Sequence, residues 1–196
     1  MNIVIIDYGA GNIQSIKFAF QRLGYEAILS RDADVIMAAD KVIFPGVGEA
    51  SSAMKKLRES KLDQIIPKLK QPVLGICLGM QLMCHTSEEG DTQGLGIFNV
   101  DVVKFSNKVK VPQIGWNQIT NLKSNLFKNV KEKEHIYLVH SFYAPICEET
   151  IAEADYELAY SAALKKNNFY GTQFHPEKSS DVGERILKNF IDSATS

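Results

Sequence analysis

The segment Val73-Leu74-Gly75-Ile76-Cys77-Leu78-Gly79-Met80-Gln81 is an apolar strand that breaks at a cysteine with a glycine two residues to either side. It has the form of a nucleophile elbow, a sharp strand-to-helix turn that holds one side chain in strained backbone geometry, with Cys77 in the reactive position. Strand and helix close on each other at such a turn only where the facing residues are small, and Gly75 and Gly79 meet that need. The turn also sets the sulfur at a helix N-terminus, where free N–H groups and the macrodipole favour thiolate over thiol. Taken alone, the segment leaves a buried structural cysteine equally open, because free cysteines are among the most buried residues.

A second segment tips the balance toward chemistry. Tyr170-Gly171-Thr172-Gln173-Phe174-His175-Pro176-Glu177 reads as a strand-like run that ends in His, Pro and Glu. Residues two apart on an extended chain project from the same face, so Glu177 is predicted to reach back to the His175 imidazole, with Pro176 stiffening the link. A histidine held by a carboxylate is the base-and-orienter half of a nucleophilic triad, in which the acid fixes the tautomer and stabilises the imidazolium. By itself His-Pro-Glu is better read as a surface turn with a solvated glutamate; together with the elbow that preference reverses.

The first half of the chain alternates strand and helix signals, with strands at Ile3–Ile6, 26–29, Lys41–Phe44 and 72–76, each followed by a helical pattern. Ile13, Ile16, Phe20 and Leu23 keep the spacing of one apolar helix face before Gly24 ends it. Such alternation predicts an α/β fold with a mainly parallel sheet covered by helices on both faces. Ligands bind outside the carboxyl ends of such strands, and segments 7–12 and 45–48 and Cys77 all fall there. After Gly96 the runs 97–105, His135–His140, 151–156, 160–165 and 170–174 predict added antiparallel strands, and a last helix is expected over 182–190. No repeat or linker divides the chain, so residues 1–196 are expected to form a single domain.

At 196 residues and a formal net charge of -1, the chain is long enough to bury about 70% of its unfolded surface. It lacks the basic face that nucleic acid or an anionic membrane requires, and Lys55, Lys56, Lys165 and Lys166 read as solvated. Cys77, Cys84 and Cys147 are odd in number and form no C-x-x-C pair, which fits a reducing cytoplasm rather than a disulfide framework. Cys84 reads as packing, and nothing marks Cys147 as reactive. The apolar N-terminus lacks the basic region and cleavage site of a signal peptide, and no apolar run approaches membrane-spanning length. A cytoplasmic location is expected. Gly9-Ala10-Gly11-Asn12-Ile13-Gln14 stands where a dinucleotide fingerprint would, but Gln14 replaces the third glycine. His85, His135, His140 and His175 match no zinc spacing. Neither a metal nor a cofactor is expected.

Further segments are spread along nearly the whole chain: Asp7-Tyr8-Gly9-Ala10-Gly11-Asn12, Phe44-Pro45-Gly46-Val47-Gly48, Ser87-Glu88-Glu89-Gly90, Gly94-Leu95-Gly96, Val111-Pro112-Gln113-Ile114-Gly115-Trp116-Asn117 and Phe174-His175-Pro176-Glu177-Lys178-Ser179. With Cys77, His175 and Glu177 in their contexts, the chain resembles the class I, triad-type glutamine amidotransferases. Within that class it is similar to the glutaminase subunits of imidazole glycerol phosphate synthases. The elbow and His-Pro-Glu point to the class; Asp-Tyr-Gly-x-Gly-Asn and Ile-Gly-Trp-Asn point to the subunit.

The resemblance implies a flavodoxin-like class I amidotransferase fold and glutamine as substrate. Cys77 would attack the side-chain amide, His175 would protonate the departing ammonia and then activate water, and Glu177 would keep His175 oriented. The oxyanion is expected to meet the N–H of Leu78, just after the nucleophile. By resemblance the second donor is the N–H of Val47, once the glycine-containing loop 45–48 has turned. Glutamine binding carries over to Gly48, Gln81, Glu89, Ser141 and Phe142. Gln81 lies one turn along the elbow helix, on the side returning toward Cys77, and the negative charge of Glu89 suits the α-amino group. On the residues alone, an exposed helix position for Gln81 and an acidic loop for Glu89 stay open.

The ammonia is implied to pass to a separate TIM-barrel synthase, or cyclase, subunit. The resulting heterodimer would make imidazole glycerol phosphate and an aminoimidazole carboxamide ribotide in histidine biosynthesis. By analogy Asn12, Ile114, Trp116, Asn117, Tyr137 and Lys178 face that partner. Trp116, the only tryptophan, suits an interface core, and a plain core position nearly as well. Gln113 and Phe142 depart from the common pattern, standing where many relatives have His and Tyr. The competing readings are a sister glutaminase subunit serving surface-sugar amidation or pyridoxal phosphate synthesis, a self-sufficient cysteine hydrolase or chaperone, and a nucleotide-binding module weakened by Gln14.

Overall fold

In a computed structural model of the chain the described residues are 1–9 and 12–193; Ala10 and Gly11, within the segment 7–12 singled out above, lie outside them, as do residues 194–196. Strands β1 (Ile3–Ile6), β2 (Ala27–Ser30), β3 (Lys41–Phe44) and β4 (Val73–Ile76) alternate with helices α1 (Ile13–Arg22), α2 (Ala33–Met37), α3 (Ala50–Glu59) and α4 (Leu62–Ile65). Helix α5 (Leu78–Leu82) follows β4 directly. Then come β5 (Thr86–Ser87), β6 (Thr92–Gln93), β7 (Asp101–Lys104), β8 (Gln113–Gln118), β9 (His135–His140), β10 (Phe142–Tyr143), β11 (Thr150–Asp155), β12 (Ala159–Lys166), β13 (Phe169–Thr172) and α6 (Ser180–Ile191).

Among the described residues the strands form a seven-stranded sheet in the order β11-β12-β13-β4-β3-β1-β2, a four-stranded sheet β10-β7-β5-β6 and the ribbon β8-β9. Strands β2, β1, β3, β4 and β13 run parallel, and β12 and β11 extend the sheet antiparallel beyond β13. With β13 counted fifth, the parallel part has the flavodoxin-like order. Side chains alternate across it as a period of two requires. Ile3, Ile5, Ile43, Leu74 and Ile76 pack with α1 and α6 on one face, and Val4, Ile6, Val42, Phe44 and Val73 pack with α3 on the other. The predicted face of α1 is the one that turns inward, with Ile16 and Phe20 buried and Ile13 and Leu23 packed against the core. No described helix is long and apolar enough to cross a membrane.

Several expectations need correction. Strand β2 begins and ends one residue later than 26–29, β4 begins one residue after Pro72, and α6 starts ahead of 182. Of the run 97–105 only Asp101–Lys104 is strand, because the N–H groups of Ile97 and Phe98 both turn onto the Met83 carbonyl that ends α5. Of the run 170–174 only the first three residues are strand, in β13, which pairs parallel with β4 and antiparallel with β12; it is the fifth parallel strand as well as the junction to the antiparallel edge. Strand β8 was not anticipated at all.

The elbow requires glycine on both sides. A Cβ on Gly75 would stand 2.9 Å from the Gly79 carbonyl oxygen, and one on Gly79 would collide with the carbonyl oxygen of Phe44. Helix α5 and the ends of β3 and β4 therefore meet backbone to backbone, where nothing can swing aside. Gly79→Ala is expected to destabilise the protein by at least about 3 kcal/mol, the upper end for an overpacked core. The measurement is the midpoint of urea unfolding, and an unchanged midpoint would mean that the contact relaxes freely.

Candidate active site

Strand β4 ends at Ile76 and α5 begins at Leu78, which leaves Cys77 between them with φ 54° and ψ -111°. A non-glycine residue in that region carries strain of about 1–3 kcal/mol and stays there only where its surroundings hold it. Here the Cys77 N–H donates to Thr172 O at 2.7 Å and its carbonyl accepts from the Gln81 N–H at 3.2 Å. The side chain is buried; its thiol donates to Val139 O at 3.6 Å, and the sulfur accepts from Gln173 Nε2 at 3.8 Å.

His175 follows β13 and is buried together with Glu177, its Nδ1 2.8 Å from Glu177 Oε1. The sequence predicted this contact from an extended chain, yet Pro176–Lys178 is a 3-10 turn. Proline suits the first position of such a turn, having a fixed φ and no N–H to satisfy, and the turn curls Glu177 back onto the ring. Strand β9 holds the turn in place. The His175 N–H donates to Tyr137 O at 3.0 Å, while Ser179 Oγ donates to His175 O at 2.7 Å and accepts from the Tyr137 N–H at 2.9 Å. Burial pushes the imidazole down, but the Cys77 sulfur beside it and the Glu177 carboxylate hydrogen-bonded to it outweigh burial, so His175 is held above the ordinary histidine value. A histidine so held carries a proton to donate at neutral pH.

The loop 45–48 closes the third side. Tyr8 Oη donates to Pro45 O at 2.8 Å from beneath, and a Cβ on Gly46 would stand 2.8 Å from the Leu78 carbonyl carbon, so the start of the loop presses on the elbow. Val47 is 43% exposed, and Gly48 has φ +94°, a conformation that favours glycine. Beyond it Glu89 Oε2 accepts from the Ala50 N–H at 2.9 Å, at the first turn of α3. Burial raises the Glu89 carboxyl above its usual range despite that hydrogen bond, and the neighbouring charge of Glu49 adds to the rise.

These elements enclose a cavity of ≈ 340 Å³. Its lining includes Cys77 and His175, Val47 and Leu78, and Gly48, Gln81, Glu89, Ser141 and Phe142. Glu177 stands behind His175 and does not line it. Lys178, expected at the partner face, also reaches the cavity rim. Of the other residues expected there, Ile114 and Trp116 on β8 are 61% and 55% exposed, so Trp116 is not a core residue. Tyr137 lies opposite on β9, its ring edge-to-face with Trp116 at 5.9 Å. Asn117 is half-buried, with its Nδ2 donating to Asp155 O at 2.7 Å, and Asn12 is exposed and accepts from Ser15 Oγ at 3.0 Å. Cys84 is fully buried, which raises its thiol pKa, and lies away from the cavity.

Residues 4–194 match the family Glutamine amidotransferase class-I. Over 195 residues, 98% of this chain and 100% of theirs, the chain is 56% identical to the imidazole glycerol phosphate synthase subunit HisH of Bacteroides fragilis (strain YCH46) and 45% identical to that of Escherichia coli (strain K12). The chain belongs to the class I glutamine amidotransferases. Among solved structures it is similar to PurLQS from Thermotoga maritima, with a TM-score of 0.74 at 15% identity, covering 97% of each chain. It is also similar to a glutamine amidotransferase from the same organism, with a TM-score of 0.65 at 17% identity, covering 98% of this chain and 83% of that one. At such identities these likenesses concern the fold.

In this amidotransferase, sequence reasoning passed over Tyr8, Pro112, Val139, His140 and Gln173. Pro112, Val139 and His140 line the cavity, Tyr8 anchors the loop and Gln173 contacts the sulfur. Burial pushes His140 down to about 4 against the hydrogen bond from its Nδ1 to Phe142 O, and the charge of His175 acts in the same direction as burial. His140 is therefore a neutral support for the loop that carries Ser141 and Phe142. For His140 the available signal was a polar residue at the end of the apolar run 136–139.

Proposed function

We propose that Cys77, His175 and Glu177 are the hydrolytic triad of this chain, the glutamine-hydrolysing HisH subunit of imidazole glycerol phosphate synthase in histidine biosynthesis, and that it acts as one domain in the cytoplasm. The observation that best supports the triad is a strained elbow cysteine sharing one small cavity with an imidazole that a buried carboxylate holds by a hydrogen bond of 2.8 Å.

Cys77 sulfur attacks the glutamine carboxamide carbon, and the N–H groups of Leu78 and Val47 meet the oxyanion that develops. His175 gives its proton to the departing nitrogen, which leaves as ammonia, and a thioester remains on Cys77. The now neutral His175 takes a proton from water as that water attacks the thioester, which releases glutamate and restores the Cys77 thiolate beside a protonated His175. Glu177 does not bond to substrate; it fixes the ring so that Nε2 faces the reacting atoms. Gly48, Gln81, Glu89, Ser141 and Phe142 hold the glutamine.

The ammonia passes to a TIM-barrel cyclase partner that docks over Ile114, Trp116 and Tyr137, an apolar group rimmed by Asn12, Asn117 and Lys178. The exposed tryptophan supports that reading, since such residues anchor interface cores. The test feeds the assembled enzyme glutamine labelled with 15N in the carboxamide, together with an equal concentration of unlabelled ammonium. Imidazole glycerol phosphate is expected to carry nearly the full label. Dilution of the label to the ratio of the bulk ammonia would defeat direct transfer.

A further inference from the structure

The polar atoms around Cys77 can be oriented outward from a single backbone carbonyl. Phe142 O is an acceptor only, so the Gln81 side-chain atom 2.8 Å from it is the amide nitrogen. That nitrogen is also 2.8 Å from the Gln173 side chain, so the Gln173 atom facing it is the carbonyl oxygen. The Gln173 amide nitrogen then faces the Cys77 sulfur at 3.8 Å. Reversing either amide would set donor against donor or acceptor against acceptor, a costly mismatch for Gln173, which is fully buried. Gln81 thus commits both amide hydrogens inside the protein, while its Oε1 has no hydrogen-bond partner among the described residues and the side chain lines the cavity.

We propose that Gln173 is a positioning residue that locks Gln81 so as to offer substrate an acceptor and never a donor, and that aims an amide N–H at the Cys77 sulfur. The proposal rests on the reading of Cys77 as nucleophile. An acceptor at Gln81 suits the ammonium or the carboxamide N–H groups of glutamine and is mismatched to a carboxylate. The N–H at Cys77 favours the sulfur anion over the thiol, because hydrogen bonds to charged groups are stronger than those to neutral ones.

The test is Gln173→Met, which fills a similar volume without donor or acceptor, followed by iodoacetamide labelling of Cys77 against pH and glutaminase kinetics in the assembled enzyme. The labelling midpoint is expected to rise by about one pH unit, roughly a tenfold loss of thiolate below it. KM for glutamine is expected to rise about tenfold as the Gln81 amide is released. A packing role alone would leave the pH midpoint unmoved, so a folded variant that follows the wild-type labelling curve overturns the proposal. If Gln173→Met does not fold, the side-chain amide resonances of Gln173 in the unaltered chain decide: they should shift with the same pH midpoint as Cys77 labelling, and a flat response overturns the proposal. A wild-type Cys77 no more reactive than Cys84 or Cys147 would instead remove the nucleophile reading, and this proposal with it.

Discussion

Cys77→Ala is expected to abolish glutamine-dependent synthesis by the assembled enzyme while synthesis from added ammonium salt survives. Removing the nucleophile of a comparable triad lowers turnover by roughly 10⁶-fold, so the glutamine reaction should fall below detection. The substitution should leave the fold intact. The backbone at position 77 has φ 54° with either side chain, so alanine inherits the strain that cysteine already bears. Alanine forgoes two weak hydrogen bonds through sulfur, at 3.6 Å and 3.8 Å. The measurement is product formation from each nitrogen source, with far-UV circular dichroism and co-purification of the partner as controls. Loss of both activities in a folded complex would mean that Cys77 serves the synthase step as well, and the division of labour would fail.

The parallel core was legible because β1, β3 and β4 are short, mostly apolar runs buried along their whole length and α1 shows one apolar face, and both are local properties. The direction in which a strand pairs is not local. The run 170–174 resembles its antiparallel neighbours in composition, and only the gap beside β4 makes β13 parallel. Strand β8 escaped notice for a related reason: its large apolar residues Ile114 and Trp116 face outward, and Gly115 between them has φ +128°. The meeting of His175 and Glu177 was foreseen by a route that does not apply, since a 3-10 turn rather than an extended chain brings them together. Glu89 was read as a charge for substrate, yet one of its oxygens is engaged with the first turn of α3, 39 residues away in sequence. The orientation of Gln81 depends on Gln173, 92 residues distant. Contacts of that span belong to the folded chain and leave no local pattern.

The isolated chain is expected to hydrolyse glutamine slowly, and docking of the partner with its own ligand is expected to accelerate it by at least about 100- to 1,000-fold, the worth of one oxyanion donor. The loop that would supply the donor from Val47 is tied at Pro45 by Tyr8 and at Ala50 by Glu89, but Val47 and Gly48 between those anchors are exposed. A peptide there can turn over without disturbing the core. The proposed docking face is one strand away from the chemistry. In the β8-β9 ladder Ile114 pairs with Val139, whose carbonyl accepts from Cys77, and Trp116 pairs with Tyr137, whose carbonyl holds His175. A partner that binds more tightly to the competent arrangement shifts the population toward it, and by no more than that difference in affinity. Gly48→Pro probes the loop directly, because proline fixes φ near about -65° and excludes the observed +94°. The activation ratio of this variant, liganded complex over free chain, is expected to fall by at least about tenfold, since one of the two loop states is removed. Steady-state glutaminase assays of the free chain, the complex with unliganded partner and the complex with liganded partner measure both ratios. If the free wild-type chain already turns over glutamine at the rate of the liganded complex, the loop does not gate the reaction, and the roles of Cys77, His175 and Glu177 are left to the Cys77→Ala experiment.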